Sequence, residues 1–295
     1  MWISEKYCKS WGIREAIREF LQNQHDGIIS KIKTKKDLQV IKIGKKENIN
    51  NMRVYVNFDF INKANNKVYG HIRYDNIIKN TLTFSNKGFL WLCDFILGCS
   101  KDEENNPDLI GTFGERMKLA ILALCRLNKN VAIISACKKY NFIIKEDPLF
   151  LKDNQPQRCL HFKFEIFNDI NINIIKVIIN NINIEEWGSQ IINFLWLLND
   201  DAKIYTSMNN HNRELGQIIY EEYLRGKIYV KGIFVQNIRL LYSEDYANCP
   251  GFNIDIKLNR DRNCIPNNKI LKEKISSVLS SFCNKNIKFI LEMEK

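Results

Sequence analysis

Apolar side chains change their spacing early in the chain, and that change excludes both an all-helical and an all-β fold. Ile13, Ala16, Ile17, Phe20 and Leu21 recur at intervals of three and four, which predicts an amphipathic helix over residues 12–24. From Asn51 to Ile61 (NMRVYVNFDFI), and again from Lys67 to Arg73 (KVYGHIR), apolar and polar side chains alternate around an Asn-rich turn, so a hairpin follows. Thr81–Ser85 has β character, and Leu90–Leu97 reads as a short buried helix or turn before a polar loop over residues 98–108. Met117–Leu127 is nearly all apolar, as a helix buried on most of its circumference would be. Asn130–Ala136, Leu160–Phe167 and Ile172–Ile179 predict further strands. Near Asn183 the chain changes character: a helix over Glu185–Leu198, a polar loop over Asn199–Asn212, strands at Gly226–Gln236 and Phe252–Leu258, and a closing helix over Asn267–Phe282. The expected organisation is a first domain over residues 1–182 and a smaller α/β module over residues 183–295.

With 45% hydrophobic and 26% charged residues in 295, the chain has the composition of a folded domain rather than of a disordered one. The formal charge of +11 favours encounter with anions, but the lysines are scattered in short runs, so the charge reads either as solvated surface or as a nucleic-acid footprint. Nine cysteines show no C-x-x-C pair and no zinc spacing, and Cys93, Cys125 and Cys137 read as small core residues. No secretory apolar run opens the chain and no stretch is long enough to span a bilayer, so an intracellular protein, cytoplasmic or nuclear, with no membrane partner is expected.

Three segments carry residue types suited to chemistry. Glu19, Asn23 and Asp26 fall within about 60° on a helix, bordering its apolar face, as polar residues of a surface helix or as one wall of a cleft. Asn86-Lys87-Gly88 follows a strand, where Asn and Gly mark an ordinary turn or let a ligand edge approach the backbone. Gly111 and Gly114 flank a loop that enters the helix near Met117, and the free amides of a helix start attract phosphate, with Lys118 adding charge. His25, His71, His161 and His211 have no mutual spacing suited to a metal, and His25 is expected on the solvent side of its helix.

Together the three segments resemble the GHKL superfamily, the Bergerat-fold ATPases that include gyrase, heat-shock chaperone ATPases, mismatch-repair ATPases and histidine kinases. Glu19 to Asp26 (EFLQNQHD) is similar to the E-x-x-x-N-x-x-D box, Asn86-Lys87-Gly88 to the D-x-G box, Leu97 to Lys101 (LGCSK) to the lid entrance, and Ile110 to Lys118 (IGTFGERMK) to the I-G-x-F-G-x-G-x-K phosphate loop. The resemblance covers roughly residues 10–182. It implies an α+β fold, a two-layer sandwich with a mixed sheet covered by helices on one face, holding ATP and Mg²⁺. Glu19 would be the catalytic base for the attacking water and Asn23 the magnesium ligand, which suits a neutral amide oxygen. Asp26, Asn86 and Gly88 would line the nucleotide, and Lys101, Gly111, Phe113, Gly114, Arg116 and Lys118 would surround its phosphates. The second module would be transducer-like, with Arg260 and Arg262 either reaching the γ-phosphate or forming a surface ion-pair cluster with Asp261.

Three positions depart from the family pattern. Asn86 stands for the adenine-reading aspartate and keeps an acceptor but not the charge, while Leu90 and Arg116 replace glycines of the second and third boxes. The expected function is a nucleotide-gated conformational switch with slow or lost hydrolysis, partnered by nucleotide and by a second copy or a protein client. The alternative is a non-hydrolysing Bergerat-fold module that binds protein or nucleic acid.

Overall fold

Alternating apolar positions build one large sheet in the first part of the chain. The computed structural model describes residues 3–49, 52–77, 79–88, 90, 116–166, 173–198, 202–209, 211, 214–242, 248–256 and 268–285, and the chain divides into two compact units, Met1–Gln190 and Ile191–Lys295. In the first unit the strands are β1 (Ile3–Ser4), β2 (Leu38–Ile49), β3 (Met52–Asn62), β4 (Lys67–Asp75), β5 (Thr81–Lys87), β6 (Asn130–Ser135), β7 (Lys138–Lys152), β8 (Gln155–Ile166) and β9 (Ile174–Asn180). They pair in the order β1-β8-β7-β6-β9-β5-β4-β3-β2. Among the described residues every pair in this sheet is antiparallel, which corrects the expected mixed sheet. Short connections between neighbouring strands account for most of these pairs, and antiparallel order is what short turns permit.

One cross-sheet row explains where the core lies. Phe58, Ile72, Phe84, Val177, Ile133 and Tyr140 are register partners from β3 through β4, β5, β9 and β6 to β7, and all six are buried. Helix α1 (Ile13–Ile32) stacks Phe20 on Phe84 at 6.2 Å between ring centroids. Helix α2 (Arg116–Arg126) packs on α1 and against β6 and β7. Trp187 of α3 (Ile184–Ile191) meets Phe58 and Phe84 edge-on, at 6.4 and 6.2 Å, and its indole N–H donates to the Val56 carbonyl at 3.3 Å. Each such aromatic stabilises the fold by about 1.5–3 kcal/mol through apolar burial. The helix expected to open the second module thus completes the core of the first.

Several elements differ from their expected bounds. Helix α1 runs eight residues past Gln24, because Ile28, Ile29 and Ile32 continue the apolar stripe beyond the polar box. Its start is fixed by the Glu15 carboxylate, which accepts the Gly12 N–H at 2.9 Å. Strands β2 and β7 were not expected; both are rich in lysine and lack clean alternation. The helix or turn expected after Leu90, with Cys93 in it, and the polar loop expected over residues 98–108 lie outside the described residues.

The second unit carries β10 (Ile204–Met208), β11 (Glu214–Ile219), β12 (Lys227–Val230), β13 (Ile233–Asn237) and β14 (Gly251–Ile254), ordered β10-β11-β14-β12-β13. Only β12 and β14 pair in parallel among the described residues. Residues 226–236, expected as one strand, fold into the β12–β13 hairpin around Lys231-Gly232, and β10 lies inside the expected loop at residues 199–212. Helix α4 (Asn268–Lys285) aligns Leu271, Ile275, Val278 and Phe282 on one face, against Ile218, Ile228, Val230 and Phe252. The helix expected over 185–198 ends at Ile191 and is followed by a short 3-10 turn at Leu195–Leu197.

Candidate functional site

The polar flank of α1 is buried, not surface-exposed. Glu19 is 2% exposed and Asp26 6%, while Asn23 is half-buried between them. His25, expected toward solvent, is fully buried, and its Nδ1 lies 3.2 Å from the Asp26 carboxylate. Glu19 is held by two arginines: its Oε1 accepts from Arg18 Nη2 at 3.1 Å and Nε at 3.3 Å, and Arg116 Nη1 of α2 stands 3.8 Å away. Burial pushes the Glu19 carboxyl above the usual carboxylate range, with Arg18 and Arg116 opposing the shift and the Asp26 charge adding to it.

Two glycines bring α1 onto the sheet. Gly70 of β4 lies opposite Asn86 of β5, and a Cβ at Gly70 would meet Ser85 O at 2.6 Å and Ile28 Cδ1 at 2.8 Å, so only hydrogen lets the helix settle there. A Cβ at Gly27 would stand 2.7 Å from Asn86 Nδ2. Asn86, 8% exposed, therefore lies directly against the helix turn that follows Asp26, and its amide donates to the Lys87 carbonyl at 3.2 Å. Gln24 fixes the register from the helix side, its amide nitrogen donating to His71 O at 2.9 Å and Ser85 O at 2.8 Å.

Beyond Asn86 the chain turns at Gly88, whose φ of +147° favours glycine, and its N–H donates to Asn173 O at 2.9 Å. Leu90 is buried and gives its N–H to Ser135 Oγ at 2.7 Å. At the start of α2, Arg116 is 8% exposed and Lys118 is fully buried. Glu19 of the first segment therefore meets Arg116 of the third, and Asn86 of the second lies against Gly27, the residue that follows the first. Lys101, Gly111, Phe113 and Gly114 lie outside the described residues, as do Arg260 and Arg262.

Sequence reasoning missed Arg18, Gln22, Gln24, Gly27 and Gly70. Gln22 is 1% exposed, and both its amide oxygen and its amide nitrogen lack a hydrogen-bond partner among the described residues. An orphaned buried amide costs about 1–3 kcal/mol, which a polar group reaching Gln22 would recover. Glycine inside a helical pattern was the available signal for Gly27, since it costs about 1 kcal/mol there and marks close approach. Among the described residues no group of three or more His, Cys, Asp and Glu side chains is arranged to hold a metal ion, and no helix is long and apolar enough to cross a membrane. No protein-family model matches the chain, and no curated protein matches it in sequence.

Proposed function

We propose that the first unit is a GHKL-like, Bergerat-type nucleotide module that acts as a conformational switch, with slow or lost hydrolysis. The observation that carries this reading is the convergence of the three boxes on α1, Asn86 against Gly27 at one end and Arg116 against Glu19 at the other. The half-buried Asn23, between Glu19 and Asp26 on the helix, suits a polar ligand, and the orphaned amide of Gln22 lies on the neighbouring flank. Asn23 would supply an amide oxygen to Mg²⁺, whose remaining ligands would be water and phosphate oxygens. Asp26, Asn86 and Gly88 would face the base, and Lys101, Gly111, Phe113, Gly114, Arg116 and Lys118 would face the phosphates of ATP. When bound, the magnesium nucleotide supplies the phosphoryl group; the chain's own task is to orient it and to hold a proton acceptor at Glu19.

Two guanidiniums on one carboxylate favour the weaker catalytic outcome. Glu19 can take a proton from water only while its Oε1 is released from Arg18 and Arg116. Ligand closure that draws Arg116 toward phosphate would release it; without that movement the module binds and does not hydrolyse. Partners in either case would be nucleotide, together with a second copy of the chain or a protein client.

Calorimetry of the full chain with ATP and Mg²⁺ tests the proposal. Saturable heat that Asn23→Ala and Asn86→Ala each weaken at least tenfold is expected, and no heat up to millimolar nucleotide removes the reading. Glu19→Ala then divides the two forms: loss of a measurable ATPase rate marks an enzyme that uses Glu19, an unchanged rate removes Glu19 from the role of base, and no rate in the parent marks a non-hydrolysing module.

A further inference from the structure

The sheet face opposite the helices has its own chemistry, independent of the nucleotide reading. Register carries a second row across it: Asp59, His71, Ser85, Lys176, Ile134, Lys139 and Glu165 are successive partners from β3 to β8. The acids of this row are answered within it or beside it, Asp59 by Arg73 and Glu165 by Lys139 at 3.2 Å. Lys176 in the centre of the row, and Lys163 on β8 in the adjoining one, have no acidic partner among the described residues. Between His71 and Lys176 the row passes through Ser85, which with Ile134 is buried, so the cations and tyrosines around this covered centre form the accessible chemistry of the face.

Two tyrosines stand on the same face. Tyr55 lies opposite Lys46, whose ammonium is 4.9 Å from the ring centroid, with that of Lys42 at 5.3 Å. Tyr69, two residues before His71, carries Lys87 at 4.6 Å. Cations resting on aromatic faces can exchange the ring for a phosphate while a base takes the ring. From β8 to β2 the face spans seven strand intervals, about 34 Å at the usual spacing.

We propose that this face binds single-stranded nucleic acid, with Lys46, Lys163 and Lys176 on the phosphates and Tyr55 and Tyr69 stacking bases. Lysines without acidic partners spread across one face, with aromatics between them, suit a flexible polyanion, and a broad sheet face offers a duplex groove no helix to enter it.

Fluorescence anisotropy of the full chain with labelled 20-mers of oligo(dT) and oligo(U), over a range of salt, tests the proposal and separates DNA from RNA. Three lost phosphate contacts at a slope of about 0.7 each should lower log–log salt dependence by about two and weaken binding roughly 50-fold at 0.15 M salt in the variant Lys46→Ala/Lys163→Ala/Lys176→Ala. Removing the same charge elsewhere, with Lys9→Ala/Lys31→Ala/Lys274→Ala, should leave the slope within about half a unit of the parent. Tyr55→Ala and Tyr69→Ala should each weaken binding about tenfold at an unchanged slope, which loss of charge cannot imitate. Absence of saturable binding, equal losses from the two triple variants, or preference for a 20-base-pair duplex overturns the proposal.

Discussion

Replacing Gly27 by alanine should separate the site from the fold. In the interior of α1, alanine gains about 1 kcal/mol of helix propensity over glycine. Against that gain, the new Cβ arrives 2.7 Å from Asn86 Nδ2, so the amide must retreat by about 1 Å to reach ordinary contact, giving up its 3.2 Å bond to Lys87 O at a cost of about 1 kcal/mol. The two terms nearly cancel, and Gly27→Ala should unfold in urea within about 1 kcal/mol of the parent. Gly70→Ala is the contrast: its Cβ meets the Ser85 carbonyl, which belongs to the β4–β5 ladder and cannot retreat, so overpacking should cost about 1–3 kcal/mol. On the functional side, Gly27→Ala should weaken ATP binding at least tenfold in calorimetry, since about 1.4 kcal/mol of a displaced amide contact is a factor of ten. Gly27→Ala with parental affinity would refute the placement of Asn86 in the proposed nucleotide site, and collapse of its stability to the level of Gly70→Ala would refute the energy balance.

Three further outcomes follow from the packing. Because the folded state raises the Glu19 pKa, its stabilising contribution is full below the unfolded value and is lost as pH rises through the folded one; urea midpoints of the parent and Glu19→Gln between about pH 4 and 8 should therefore move against the parent as pH rises, and a constant difference would contradict the burial. Trp187→Ala should lose about 3–5 kcal/mol and Trp187→Phe less than half of that, measured by urea unfolding. Burial pushes the Cys125 thiol up to about 12, so its alkylation at pH 8, read by mass spectrometry of the native protein, should run roughly a thousandfold slower than that of an ordinary thiol.

Strong periodicity made α1, the β3–β4 hairpin and α4 legible, because each presents one apolar face to one layer, whereas α2 and β6 were legible as continuous apolar runs buried on most sides. The sheet order was not legible: nothing local in residues 174–180 says that β9 pairs with both β5 and β6. Polar residues of the first box were readable as a group, yet their burial was not, since a helix pattern does not say what lies over its polar flank. Arg18 shows the same limit, for its role depends on Glu19 being taken out of water. Cys125 and Cys137, read as core residues, are only half-buried, since Cys125 lies in the last turn of α2 and Cys137 in the turn between β6 and β7.

The position of β9 sets an order of events for the growing chain. Residues 38–87 and 130–166 form two separate strand sets, and in the finished sheet the last of the nine strands to leave the ribosome is the one inserted between them. Until it arrives, β5 and β6 each present an unpaired backbone edge, the template on which chains associate wrongly. Shortening the chain before Ile174 would thus leave two sticky half-sheets instead of a smaller soluble domain, and any recombinant fragment intended to carry the α1 site must extend through Trp187.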